Sequence, residues 1–158
     1  MHSRIYQISN TPIDKCDYID EDKYYDHWFT NSVADYVDGN TDRGDDIQWF
    51  KDCYENRGLS FGADDGGEYF VIEDKLKYFT PKLEEFKTQI EELLNTTIED
   101  FASVKLDMNV YRLRMAYEEK FGFYIDGDDW GVCALDDFIR SNYNGSKFYI
   151  GATIDYHC

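Results

Sequence analysis

Hydrophobic positions recur at helical steps most clearly between Thr80 and Tyr117. Leu83, Phe86, Ile90, Leu93 and Leu94 follow one another at three- and four-residue intervals, which places them on one face of a helix. Glu84, Glu85, Glu91 and Glu92 fall mostly on the other face. Thr80-Pro81 predicts the start, because threonine caps free N–H groups and proline suits the first helical position. Asn95 predicts the stop. Thr97-Ile98-Glu99-Asp100 resembles a capping box and predicts a restart. Leu106, Val110, Leu113 and Tyr117 then form one apolar stripe, and Met108, Tyr111 and Met115 a second. Two stripes predict a central, largely buried helix, with Lys105, Arg112 and Arg114 reaching outward.

Alternation of period two marks the other elements. Phe148, Ile150, Ala152, Ile154 and Tyr156 alternate with Tyr149, Gly151, Thr153 and Asp155, the pattern of a strand over 147–156. A first strand is predicted over 4–9. Leu59 to Gly62 and Glu68 to Glu73 read as a hairpin around the acidic, glycine-rich segment 63–67. Lys23 to Val37 reads as a helix, and a second helix capped by Asp45 or Asp46 is expected to run through Tyr54. Asp74 to Tyr78 suggests one helical turn, Phe121 to Ile125 a short strand, and Leu135 to Ser141 a short helix. Strands at both ends with helices between predict one α+β domain spanning 1–158. Its sheet is expected to be mixed or mainly antiparallel, with helices packed mainly on one face.

Composition changes the picture from fold to surface. The 158 residues carry 33 Asp and Glu against 16 Lys and Arg, a formal charge of −17, yet 18% are aromatic. A disordered acidic chain is poor in aromatic residues, so this one is expected to fold. The sequence has no apolar run long enough to span a membrane and its first residues do not read as a secretory signal, so a soluble cytoplasmic protein is expected. Four scattered cysteines (Cys16, Cys53, Cys133 and Cys158) are expected to be reduced thiols. The charge is uneven. Asp14 to Asp74 holds 18 of the acids and five of the bases, so about two fifths of the chain carries most of the charge.

Motif-borne chemistry is sparse. No nucleophile elbow, Walker, dinucleotide or kinase motif is present, and no Cys-x-x-Cys or His-Glu-x-x-His spacing. His27 could serve as a base for Cys16 or Cys53, but no spacing supports it. No catalytic residue and no cofactor is predicted. Asp126-Gly127-Asp128-Asp129-Trp130-Gly131 opens like a calcium loop, with Asp126 and Asp128 at ligand positions one and three and Asp137 at position twelve. Trp130 at position five offers no side-chain oxygen, so the pattern is incomplete.

The acidic residues interleave with aromatic ones in three clusters. Asp20, Glu21, Asp22 and Asp26 lie beside Tyr24, Tyr25 and Trp28; Asp42, Asp45 and Asp46 follow; Asp64 and Asp65 sit at the predicted hairpin tip. Such a field repels nucleic acid and anionic membranes and attracts basic proteins. These residues are therefore the expected contacts to a basic protein that itself binds nucleic acid, with the aromatic side chains as anchors. Small size, strong acidity, abundant aromatic residues and no catalytic motif are similar to DNA-mimic inhibitors of restriction or CRISPR nucleases. They are similar also to immunity proteins that neutralise basic nuclease toxins. The likeness is one of composition and carries over no individual residue.

Overall fold

A computed structural model describes residues 2–158, apart from the side chain of Lys105. Seven strands form one open mixed sheet: β1 (His2–Ser9), β2 (Tyr36–Asp38), β3 (Leu59–Asp64), β4 (Gly67–Ile72), β5 (Tyr124–Gly127), β6 (Gly131–Ala134) and β7 (Lys147–His157). The main order is β3-β4-β7-β1-β5-β6, and β2 also pairs with β7. Among the described residues only β1 and β5 run parallel; the other pairs are antiparallel. Six α-helices accompany the sheet: α1 (Trp28–Ser32), α2 (Arg43–Tyr54), α3 (Lys75–Leu94), α4 (Ile98–Phe101), α5 (Lys105–Tyr117) and α6 (Leu135–Ser141). The expected α+β class, with both terminal strands in the sheet, is observed.

Strand β7 is the axis of the sheet, and its alternation does not run unbroken. Tyr6 pairs with Thr153 and Ile8 with Ile150, so β7 carries one more residue than β1 between these pairs. One extra residue in a strand turns all later side chains to the opposite face. Phe148 and Ile150 accordingly join the core beneath α2, α3 and α6, with Tyr6, Phe50, Phe70, Tyr78 and Phe138. Beyond the bulge, Ile154 and Tyr156 join a second core on the other face, with Ile5, Tyr24, Phe29 and Tyr124. The bulge is what lets both faces of the sheet be covered.

Several boundaries differ from the sequence reading. Helix α3 begins at Lys75, where the Asp74 carboxylate accepts the Lys77 N–H at 3.0 Å. Pro81 therefore lies inside the helix, where its ring removes the hydrogen bond to the Lys77 carbonyl. The expected helix over 23–37 is instead a 3-10 turn at Glu21–Tyr24, the short α1, and β2. The His27 ring nitrogen caps α1 by accepting the Phe29 N–H at 3.3 Å, so it is engaged in structure and not with a cysteine. Helix α2 is capped by Asp42, which accepts from Gly44 and Asp45 N–H, and not by Asp45 or Asp46. The hairpin is tighter than expected, with Asp64 opposite Gly67 and Gly67 at φ 111°, a left-handed conformation that glycine adopts without strain.

The largest correction concerns α5. The capping box at Thr97 is present, but it starts only the four-residue α4. No described side chain of α5 joins either core. The helix packs on α3 with Leu106, Leu113 and Met115 half-buried, and Met108, Val110, Tyr111 and Tyr117 stay about half-exposed. Beyond Phe79, α3 is likewise absent from both cores. The two helices thus form an arm leaving the sheet body.

Candidate functional site: a carboxylate layer over one sheet face

The sheet face opposite α2, α3 and α6 is covered by the segment 13–34. One side chain from the β1–β7 bulge fixes its start. The Gln7 carboxamide oxygen accepts the N–H of Ala152 (3.0 Å) and of Ile19 (3.2 Å), and its amide donates to the Asp17 carbonyl (2.9 Å). Ile19, Tyr24, Phe29, Val33 and Ala34 turn inward onto the second core. The Tyr24 hydroxyl donates to Asp126 at 2.6 Å, and the Lys23 ammonium reaches the same carboxylate at 2.8 Å. Burial, and then the Asp126 charge, hold the Tyr24 phenol far above its ordinary pKa.

With the apolar side chains turned inward, the acids face water. Asp14, Asp17, Asp20, Glu21, Asp22, Asp26, Asp35 and Asp38 are all exposed. Among the described residues, no lysine or arginine pairs with any of them; Asp35 meets only His157, at 3.4 Å. The Glu21 carboxylate packs against the backbone at Gly39, where even a β-carbon would collide with it. The first cluster therefore abuts the loop that leads to Asp42 and Asp45, both exposed at the start of α2. Tyr25 (82% exposed) and Trp28 (50%) stand in the same surface. These large rings offer apolar contact area amid charge.

The structure removes several expected contacts from this surface. Tyr24 is fully buried and serves as a core residue. Asp46 is also buried: its oxygens accept from Arg4 Nε (2.5 Å) and Thr153 Oγ1 (2.7 Å), so it is a structural ion. Asp65 is exposed, but Asp64 is taken up by Lys147 (2.5 Å) and the Tyr149 hydroxyl (3.1 Å). The hydrogen bond from Lys147 holds the Asp64 carboxyl below its usual range. Similarly, Arg43 binds Glu68 at 2.9 Å and lowers it. The hairpin tip is thus partly neutralised from within, and the free charge is concentrated on residues 14–45.

The expected calcium loop is a different object. Residues 124–134 form the β5–β6 hairpin, with Gly127 opposite Gly131. Asp126 points into the second core and is already occupied by Lys23 and Tyr24, while Asp137 lies on α6 and pairs with Arg140 at 2.7 Å. Asp128 stands exposed in the turn. Among the described residues, the one grouping of three possible ligand atoms within 4.8 Å is Asp14, Cys16 and Asp17.

A second charged cluster went unseen in the sequence. Lys82 on α3 lies between Glu119 and Asp136, 2.9 Å from the latter. Tyr78 donates to Asp136 at 2.8 Å and stacks on Tyr54 at 4.5–7 Å aromatic range, with ring centroids 5.4 Å apart. Burial, opposed by Lys82 and reinforced by Asp136, raises the Glu119 carboxyl. The cluster joins α3, the chain after α5, and α6, and so fastens the arm to the body. Its members are up to 58 residues apart, and no local spacing announces them.

Comparison with protein-family models, with curated proteins and with solved structures finds no match.

Proposed function

We propose that the protein is a non-enzymatic acidic interaction module that occludes the basic, nucleic-acid-binding surface of a partner protein. The observation that carries this reading is the division of labour among its acids. Asp46, Asp126, Asp136 and Asp155 each have a basic side chain within the fold. The carboxylates of residues 14–38 are left without lysine or arginine among the described residues, and those of 14–26 lie on the segment that covers the sheet face opposite α2, α3 and α6. An unneutralised field of this kind attracts cationic surfaces over a Debye length of about 8 Å and speeds encounter. Tyr25 and Trp28 would supply the apolar centre of such an interface, with the charges around it.

The geometry refines the DNA-like element of the reading. A duplex shows one charge per roughly 1.7 Å of axis. Residues 21–38, which the sequence predicts as one long helix over 23–37, are broken into a 3-10 turn, the short α1 and β2, so their acids do not line up along one helix. The layer would act as a patch matched to a basic groove and not as a replica of a helical backbone. The same chemistry suits a basic nuclease toxin held by an immunity protein or a nuclease held by an inhibitor, and the partner class is the same in both.

The test is charge reversal at Asp20, Asp22, Asp26 and Asp65, none of which uses its side chain in a hydrogen bond among the described residues. The lysine variant is expected to keep its thermal unfolding midpoint while partner affinity falls at least a hundredfold. Unchanged affinity in a folded variant sinks the proposal.

A further inference from the structure

We infer that the α3–α5 arm is a self-association surface, and that two copies of this chain pair arm to arm as a four-helix bundle. The first observation is the placement of exposed apolar side chains. Outside residues 75–117, the large exposed hydrophobics among the described residues are all Tyr or Trp, at positions 25, 28, 36, 49 and 143. Among the described residues, every exposed Leu, Ile, Val or Met lies between Leu76 and Val110. A patch of this kind on a chain otherwise crowded with charge marks a surface that is covered in use.

The second observation is the order of those side chains. Leu76, Leu83 and Ile90 recur at seven-residue steps, and so do Phe79, Phe86 and Leu93. Together they make three heptads of the alternating three–four spacing that packs helix against helix. Helix α5 satisfies part of this seam, as in the Phe86–Tyr117 ring contact at 6.0 Å. Leu76 (80%), Leu83 (51%) and Leu94 (80%) remain open along one line of α3, with Tyr117 (55%) beside them on α5 and Val110 (51%) two turns before it. An apolar groove of about 380 Å³ runs between Leu76, Leu83 and Tyr117. Across the arm, Gln89 is buried with its Oε1 lacking a hydrogen-bond partner among the described residues.

Charge selects the occupant. Residues 75–117 hold seven Lys and Arg against seven Asp and Glu, so the whole formal charge of −17 lies elsewhere. A basic partner is drawn to the carboxylate layer, not to this neutral arm. A second arm is the surface of like composition that meets it without repulsion, and arm-to-arm pairing about a two-fold axis keeps the two acidic layers away from the contact. The size fits. The 20 residues of α3 and 13 of α5 are about 30 and 20 Å long, and side by side they present a face on the order of 500 Å² in projection, less than the accessible area their side chains expose. A standard interface buries about 800 Å² of accessible surface per partner.

The test is the molar mass of the full chain by sedimentation equilibrium from about 1 to 100 μM, in 0.05 and 0.5 M NaCl. The expected result is twice the chain mass, with association tightening as salt screens the repulsion between two copies of charge −17. The double variant Leu83→Glu/Val110→Glu is expected to be monomeric throughout, with a far-ultraviolet dichroism spectrum like that of the parent. If that variant does not fold, Leu94→Lys, at a site 80% exposed, takes its place and is expected to weaken association at least tenfold. A parent chain that stays monomeric at 100 μM overturns the inference. So does a dimer indifferent to these substitutions. Because partner binding through the carboxylate layer must weaken with salt while self-association strengthens, failure of one reading is distinguishable from failure of the other.

Discussion

Asp45 and Asp46 are neighbours in sequence with opposite fates, and replacing each by alanine tests the sorting of acids on which the functional reading depends. Asp46 is 4% exposed and its carboxylate takes Arg4 Nε at 2.5 Å and Thr153 Oγ1 at 2.7 Å. Arg4 is itself about four-fifths buried and also bonds Asp155. Removing one partner of a buried pair costs about 3–5 kcal/mol. The second carboxylate on Arg4 softens the loss, so about 3 kcal/mol is expected for Asp46→Ala. Asp45 faces water in the first turn of α2, where a negative charge gains about 0.3–1 kcal/mol from the helix dipole; Asp45→Ala should cost no more. Urea unfolding followed by circular dichroism at pH 7 reads both. With a slope of about 2 kcal/mol per molar urea, Asp46→Ala should lower the midpoint by about 1.5 M and Asp45→Ala by less than about 0.5 M. Equal midpoints for the two variants would refute the assignment of Asp46 to structure and Asp45 to the free surface.

Three further outcomes follow from the same geometry. Tyr24→Phe removes a hydroxyl from the buried Asp126 carboxylate and should cost about 1–3 kcal/mol in the same urea assay, a loss no exposed binding anchor would show. Glu119 has its carboxyl raised by burial, so the folded chain holds this proton after the unfolded chain has released it. Its contribution to stability is therefore complete below the ordinary glutamate value and declines as pH rises through the raised one. The stability difference between Glu119→Gln and the parent should shift in favour of the variant across that window, as read by thermal melts from pH 4 upward; a constant difference contradicts the burial argument. Asp42→Ala removes the cap of α2 and should cost about 1 kcal/mol, measured by urea unfolding.

The sequence carried the elements whose signal is local and left out those decided at a distance. Leu135 to Ser141 was read with its observed bounds, and the terminal strands were found because period-two alternation needs no tertiary context. The β7 bulge was illegible, since Phe148 to Tyr156 alternate without a break and only the pairing with Tyr6 and Ile8 shows the added residue. The stripes of α5 were read correctly as apolar, but burial depends on a neighbour, and packing on α3 half-buries Leu106, Leu113 and Met115 while leaving members of both stripes open. Among the expected contact residues, Asp20, Glu21, Asp22, Tyr25, Asp26, Trp28, Asp42, Asp45 and Asp65 lie on the surface. Tyr24 and Asp46 carry the same side chains as their exposed neighbours, and their partners Asp126, Arg4 and Thr153, which hold them inward, lie 42 to 107 residues away in sequence. The Lys82–Glu119–Asp136 cluster was hidden for the same reason.

The most direct measurement of the central claim is a side-by-side capture from host lysate, with the parent chain and the variant reversed at Asp20, Asp22, Asp26 and Asp65 as baits, followed by competition with duplex DNA for whatever protein the parent retains. The account predicts a basic nucleic-acid-binding protein held by the parent and released by the variant, and mutually exclusive binding of DNA and the acidic chain to it. Identical captures by the two baits, or a ternary complex in which DNA and the acidic chain bind together, would contradict it.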